Sequence, residues 1–385
     1  MATLSPLMAA QLAHAVYGIR TTDNIMQGVT EQLGGGTTTQ VGQSWDIGGG
    51  TVAHGVSGTV ITERSGFGLV MSGQGQFAGE TVVITRGTQT TADWVSNATT
   101  GVSPGPFGLG VHTGFNRIYK SVIDQVQPQV PERGTIHVVG HSLGGALANL
   151  IAAKLTSSGE RDIRLYTFGS PRVGLPPFSG LLQKRIGADN MYRVYSVADP
   201  VPMVPIYPFV HTPVTSGGIR VGNTTGLLSI DAHLMPTSYL IHTRNNNSWA
   251  GLKAAAQEVH NLRKVDELLA LAGKHASIPG SSWALWALGK ALQAIINIAV
   301  TSLGIAVTTV ATAVDMVAQL LVNAARISKE IGSRILKFIT TAMKWAGKAV
   351  TATAEVTAKF LSWVIKLMLA PIASLAGRAL DRLRG

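Results

Sequence analysis

The sequence predicts an α/β fold, a mostly parallel sheet with helices on both faces, followed by an all-α region. Two observations predict it. Strand-like and helix-like segments alternate from about residue 68 to 197. After Asn247 nearly every segment is helix-forming, and proline falls to Pro279 and Pro371. A length of 385 residues suits two or three domains. We place the boundary within 248–280, with a catalytic unit over 1–250 and a helical, basic unit over 251–385.

The elements follow in order. Leu4, Met8, Leu12, Ala15, Val16 and Ile19 recur at helical spacing, so 1–33 reads as helix. Gly34-Gly35-Gly36 and Gly48-Gly49-Gly50 punctuate a Thr/Gly-rich stretch suited to turns and short strands. Strands are expected at Gly68–Met71 and Thr81–Arg86, and a low-periodicity loop from Thr88 to Gly110. A helix near 114–126, a strand over Thr135–Gly140, a small-residue helix over 143–156, and strands at Arg164–Phe168 and Met191–Val197 complete the alternation.

Composition narrows the chemistry. Hydrophobic residues make up 45% and charged residues 13%, against a usual charged share of about 25%, so the chain is not disordered. There are no cysteines, which excludes disulfides, thiolate metal sites and cysteine nucleophiles. The net charge is +11. Residues 1–250 carry 15 Lys+Arg and 13 Asp+Glu, whereas 251–385 carry 16 and 7. The C-terminal bases are single residues separated by Leu, Ile, Val, Ala and Trp. That pattern favours an anionic membrane surface over nucleic acid. The first charged residue is Arg20, and no secretory signal is legible, so export by the general route is not expected.

The sharpest chemical signal is Gly140-His141-Ser142-Leu143-Gly144. The apolar run Ile136–Val139 leads in, and Gly145-Ala146-Leu147-Ala148-Asn149 leads out. A strand–tight turn–helix projects a serine hydroxyl beside a helix N-terminus, where backbone N–H groups meet a developing oxyanion. A serine needs a base, and the base needs an orienter. Asp199 stands directly after an apolar strand, the end at which such sheets place functional groups. After Asp199 the histidine candidates are His211, His233, His242, His260 and His275. His137 and His141 read as packing residues.

These residues resemble the class 3 lipases of the α/β-hydrolase fold over roughly 60–240. The resemblance rests on Thr85-Arg86-Gly87-Thr88, Asp93-Trp94, Val111–Phe115, Gly140–Ala148, Tyr166–Gly174 and Asp199-Pro200-Val201-Pro202. It implies a triad of Ser142, Asp199 and His233. His233 resembles the family's base because Tyr239 follows it, although the spacing is long and Pro236 intrudes; His242 and His211 stay open. The N–H of Leu143 is one oxyanion-hole donor on the turn argument, and the resemblance supplies Thr88 as the other. It also implies a short lid over Thr90–Asn97, with Asp93, Trp94 and Val95 at its centre. No cofactor or metal is needed.

In the C-terminal third, 291–314 carries no charge, long enough to span a bilayer yet rich in polar residues. Ile327, Ile331, Ile335, Phe338, Ala342, Trp345 and Ala349 form an apolar stripe. Arg326, Arg334, Lys337, Lys344 and Lys348 lie beside it, as on an interfacial helix. Phe360–Leu380 repeats the pattern. A bundle packed on itself or on the catalytic unit is the competing reading.

The function expected is a serine lipase or phospholipase cleaving acyl esters of membrane lipids. The absent export signal and the basic helices resemble a type VI secretion phospholipase effector, a toxin delivered to a target cell by a non-Sec route. An immunity protein or secretion-spike partner would accompany it. The alternatives are a membrane-perturbing protein with the hydrolase as targeting module, and an ordinary lipase or esterase with a C-terminal anchor.

Overall fold

The computed structural model describes residues 2–20, 24–57, 63–87, 101–157, 160–205, 208–214, 218–222, 227–260, 265–278, 280–303, 313–349 and 356–384. Nine strands are described: β1 (Thr51–Ser57), β2 (Glu63–Ser72), β3 (Thr81–Thr85), β4 (Val102–Pro104), β5 (Gly110–His112), β6 (Arg133–His141), β7 (Glu160–Phe168), β8 (Met191–Ser196) and β9 (Ile219–Val221). Seven form one sheet in the order β1-β2-β3-β6-β7-β8-β9, and β4 pairs with β5 separately. The pairs β1/β2 and β2/β3 are antiparallel. The pairs from β3 to β9 are parallel. The mostly parallel, helix-covered sheet expected from the sequence is the architecture observed.

The strands alternate their buried side chains between two cores, as the two-residue period requires. Val70, Val83, Ile136, Val138 and Leu165 face one side. Leu69, Val82, Ile84, Val139, Tyr166 and Phe168 face the other. Helix Thr113–Val126 closes the first side through Phe115, Tyr119, Val122 and Val126, one stripe at three- to four-residue spacing. Helix Leu143–Leu155 lies beside it, almost wholly buried, and its glycines and alanines let it sit close to the sheet. Helix Pro6–Ala15 covers the second side. Helix Trp249–His260 packs on β9 at the far edge of the sheet, and the Trp249 ring lies tilted against Tyr192, 4.5 Å between centroids.

Two departures from the sequence reading have physical causes. The Thr/Gly-rich stretch folds partly into a helix, Gly35–Gly42, not only turns and strands. There the Thr38 and Thr39 hydroxyls bond back to the carbonyls of Gly34 and Gly35 at 3.1 and 3.0 Å. β1 went unread because Gly55 interrupts its apolar pattern. A Cβ there would lie 2.7 Å from both Phe67 and Val122, so close packing chose the glycine.

The C-terminal third forms helices Val265–His275, Ser282–Leu303, Ala313–Ile327, Lys329–Trp345 and Ala358–Asp381. The charge-free run 291–314 falls across two of these, with 304–312 outside the described residues. Most of the expected interfacial stripe is turned inward: Ile331, Ile335, Phe338, Ala342 and Trp345 are buried in the core that also holds the first face of the sheet, whereas Ile327 and Ala349 at its ends are exposed. Part of the basic stripe is paired within the chain. Arg334 and Lys337 meet Asp266 at 3.1 and 3.3 Å. One described helix, Ala358–Asp381, is long and apolar enough to cross a membrane, and 44% of its most apolar window is buried inside the protein.

Candidate active site

β6 delivers the chain to Ser142, and the 143–155 helix carries it away. Ser142 adopts φ 60° and ψ −133°, a left-handed conformation strained for a side-chain-bearing residue. The turn closes only because its flanks are glycine. A Cβ on Gly144 would stand 2.1 Å from the Thr85 carbonyl, and one on Gly140 would stand 2.3 Å from the Gly144 carbonyl. The Thr85 hydroxyl ties the two sides, donating to the carbonyls of Gly144 and Val139 at 2.6 and 3.1 Å. Ser142 gives its own N–H to Phe168 at 2.9 Å. Leu143 opens the helix, so its N–H has no acceptor within that helix.

Across from the turn, the Ser142 hydroxyl lies 2.9 Å from His233 Nε2. His233 Nδ1 lies 2.8 Å from Asp199 Oδ2. A carboxylate only accepts, so Nδ1 carries the ring proton and Nε2 is left to accept from the serine. All three residues are 0% exposed. Asp199 sits just beyond the end of β8. Its second oxygen accepts the Val201 N–H at 2.9 Å, and Tyr239 donates to Oδ2 at 2.6 Å. Burial, and then the Asp199 charge, push the Tyr239 phenol well above its ordinary pKa, so it stays a donor.

A further layer holds the base. His141 Nε2 donates to the His233 carbonyl at 2.8 Å, and the Tyr17 hydroxyl donates to His141 Nδ1 at 2.8 Å. Burial, and then the neighbouring His233, hold the His141 pKa well below its ordinary value, consistent with this neutral tautomer. The structure thus brings Ser142, Leu143, Asp199 and His233 together. His211 instead donates to the Pro202 carbonyl at 2.9 Å. His242 lies on helix Leu240–Asn245, its ring facing Gly222. His137 bonds Glu80 at 2.6 Å. Thr88, Asp93, Trp94 and Val95 lie outside the described residues, though Gly87 abuts Ser142, where a Cβ would be 3.3 Å from the serine Cβ.

Three contributors went unread in the sequence. Gly169, at φ 54°, leaves the triad its space: a Cβ there would be 2.7 Å from Asp199 Oδ2 and 3.1 Å from His233 Nδ1. Its place in Phe168-Gly169-Ser170 at the end of β7 was the available signal. Tyr17 and the supporting role of His141 had no local signal, because their partners are distant in sequence. Among the described residues no group of three or more His, Asp or Glu is placed to hold a metal ion.

Residues 82–209 match the family model for lipase (class 3). The matched segment runs from β3 through the serine turn to just beyond the Asp199 loop. A secreted mono- and diacylglycerol lipase of Fusarium solani is 35% identical over 167 residues, 41% of this chain and 49% of that protein. Secreted mono- and diacylglycerol lipase A of Penicillium cyclopium is 33% identical over 168 residues, 41% of this chain and 52% of that protein. The chain spans about half the length of these curated relatives. A solved mutant form of MDLA from Penicillium cyclopium aligns with 57% of this chain and 80% of its own, at 25% identity and a TM-score of 0.43.

Proposed function

We propose that this chain is a serine carboxylic ester hydrolase acting on the acyl esters of lipids. The observation that carries the reading is the hydrogen-bonded line Ser142–His233–Asp199 at a strained strand–helix turn. Ser142 Oγ attacks the acyl carbonyl while its proton passes to His233 Nε2. The carbonyl oxygen becomes an oxyanion facing the Leu143 N–H; by resemblance Thr88 supplies the other donor, each worth about 3 kcal/mol in such sites. The intermediate collapses, the alcohol leaves with the proton from His233, and the acyl group stays on Ser142. His233 then deprotonates a water that releases the acid and restores the serine. Asp199 holds the ring and stabilises the imidazolium.

The lipid is the finer part of the proposal. The relatives' names point to mono- and diacylglycerols, whereas the basic 251–385 segment supports an anionic phospholipid surface. Fatty-acid release from phosphatidylglycerol vesicles, phosphatidylcholine vesicles and diacylglycerol emulsions separates these. Ser142→Ala is expected to lower release at least 10³-fold on every active substrate. A chain that cleaves none of them, and whose Ser142 resists a fluorophosphonate, is not this enzyme. Cleavage of diacylglycerol alone removes the phospholipid. Vesicle leakage that survives Ser142→Ala favours the membrane-perturbing alternative.

Delivery as a type VI toxin, with an immunity or spike partner, rests on chain organisation alone. Growth arrest on periplasmic expression in a bacterium, lost in Ser142→Ala, is the expected result. Unimpaired growth with active enzyme rejects it.

A further inference from the structure

One cavity outside the triad joins the sheet to the C-terminal helices. It measures about 80 Å³ and lies between the end of β8, the turn Val201–Met203, and the helices 282–303 and 358–381. Its polar wall holds Arg172, Arg193, His211 and Lys290, and no carboxylate lines it among the described residues. Met203, Met368 and Ile372 are part of a wide apolar wall.

Neutral groups contact Arg172, His211 and Arg193. Arg172 donates to the carbonyls of Met203 and Pro205. His211 donates to the Pro202 carbonyl at 2.9 Å. The Arg193 guanidinium lies 4.3 Å from the centre of the Tyr195 ring. The cations feel one another. Burial, and then Arg193 and Arg172, push the half-buried Lys290 amine down to about 7. Burial and Arg193 push Arg172 down to about 10. Two guanidiniums and an amine around one partly apolar cavity is a costly arrangement that an entering anion relieves.

We propose that this cavity binds a single-chain amphiphilic anion, its carboxylate or phosphate head against Arg172, Arg193 and Lys290 and its alkyl chain along Met203, Met368 and Ile372. The site stands independently of ester hydrolysis, although a fatty acid released by that reaction would belong to the class. Because Lys290 titrates near neutrality among Arg172, Arg193, His211 and Tyr195, an anion holds it protonated. Binding at pH 8 therefore takes up a proton, and affinity falls as pH rises.

The test is calorimetric titration of the full chain with octanoate, octyl phosphate, acetate and inorganic phosphate, at pH 6.5 and 8 and in buffers of different ionisation heat. The expected result is binding of one or both octyl anions with proton uptake at pH 8. Acetate and phosphate should bind at least ten-fold more weakly. Lys290→Met should weaken octyl-anion binding at least ten-fold while short-ester turnover stays within two-fold of the unaltered chain. That split separates this cavity from acyl binding beside Ser142, and the two head groups tell carboxylate from phosphate. The proposal is overturned if neither octyl anion binds, if binding survives both Lys290→Met and Arg172→Met, or if no proton is taken up. Free phosphate binding as tightly as octyl phosphate, an adventitious ion only, also overturns it.

Discussion

Tyr239 and His141 show how the candidate triad is held. The Tyr239 hydroxyl shares Asp199 Oδ2 with His233. A hydrogen bond to a charged group is worth about 1.5–3 kcal/mol. Tyr239→Phe is expected to lower kcat on a short ester about ten- to hundred-fold with little change in KM, read from initial-rate kinetics. A wild-type kcat would remove Tyr239 from the positioning layer. His112 gives a pH prediction. It is fully buried, and burial pushes its pKa down to about 4. The unfolded chain takes up this proton near 6.5 and the folded chain only near 4. Its contribution is therefore present above about pH 6.5 and is lost as pH falls, by about 1.4 kcal/mol per unit until the folded value is reached. Denaturant melts at pH 7 and 5 should show this loss reduced in His112→Gln. Of this site, Ser142 and Asp199 were legible because each is marked by its immediate neighbours, a tight turn and a strand end. His233 needed the family's pattern to single it out. Tyr17 was not legible, because its tie to His141 spans 124 residues.

At the scale of elements, the same residue type has opposite meanings. Gly144 faces the Thr85 carbonyl at 2.1 Å from any added Cβ. Gly144→Ala must push the helix off the strand and is expected to cost several kcal/mol, leaving little soluble or active protein. Gly273, inside helix Val265–His275, has open space around its Cβ position. Gly273→Ala should instead stabilise by about 0.5–1 kcal/mol, seen as a raised denaturation midpoint. The strong strand–helix alternation was legible because period and punctuation are local. β1 and the 35–42 helix were not, because packing on Phe67 and Thr hydroxyl bonds override glycine's weak propensity. The stripe on the 329–345 helix was read correctly as apolar. Periodicity cannot say whether such a stripe meets lipid or protein, and here Trp345 donates to the Ser281 carbonyl at 3.1 Å inside the core.

Over the whole molecule, the C-terminal helices support the loops that carry the acid and the base. Helix 358–381 packs on the turn Val201–Met203, two residues beyond Asp199. Arg382 meets Asp231 at 2.6 Å, two residues before His233. Gly280 accepts the Leu228 N–H at 3.3 Å. We retain 1–250 and 251–385 as a proposed division of labour, but the buried core runs across it. A chain ending at residue 260 is therefore expected to lose short-ester turnover and to expose apolar surface, seen as dye binding and a lower melting temperature. A truncated chain with full turnover and an unchanged melt would make the helical region a detachable module.

The shared core also bears on the order in which the chain is made. Val201 and Val204 are buried in the same cluster as Leu285, Leu288, Leu361 and Ile365. At the usual 5–20 residues per second, translation brings the last of these out on the order of ten seconds after the first. Throughout that interval the apolar face around Val201 and Val204 is without its C-terminal cover. A ribosome-bound chaperone is the natural occupant of that face, and slow translation through the C-terminal third would prolong its stay.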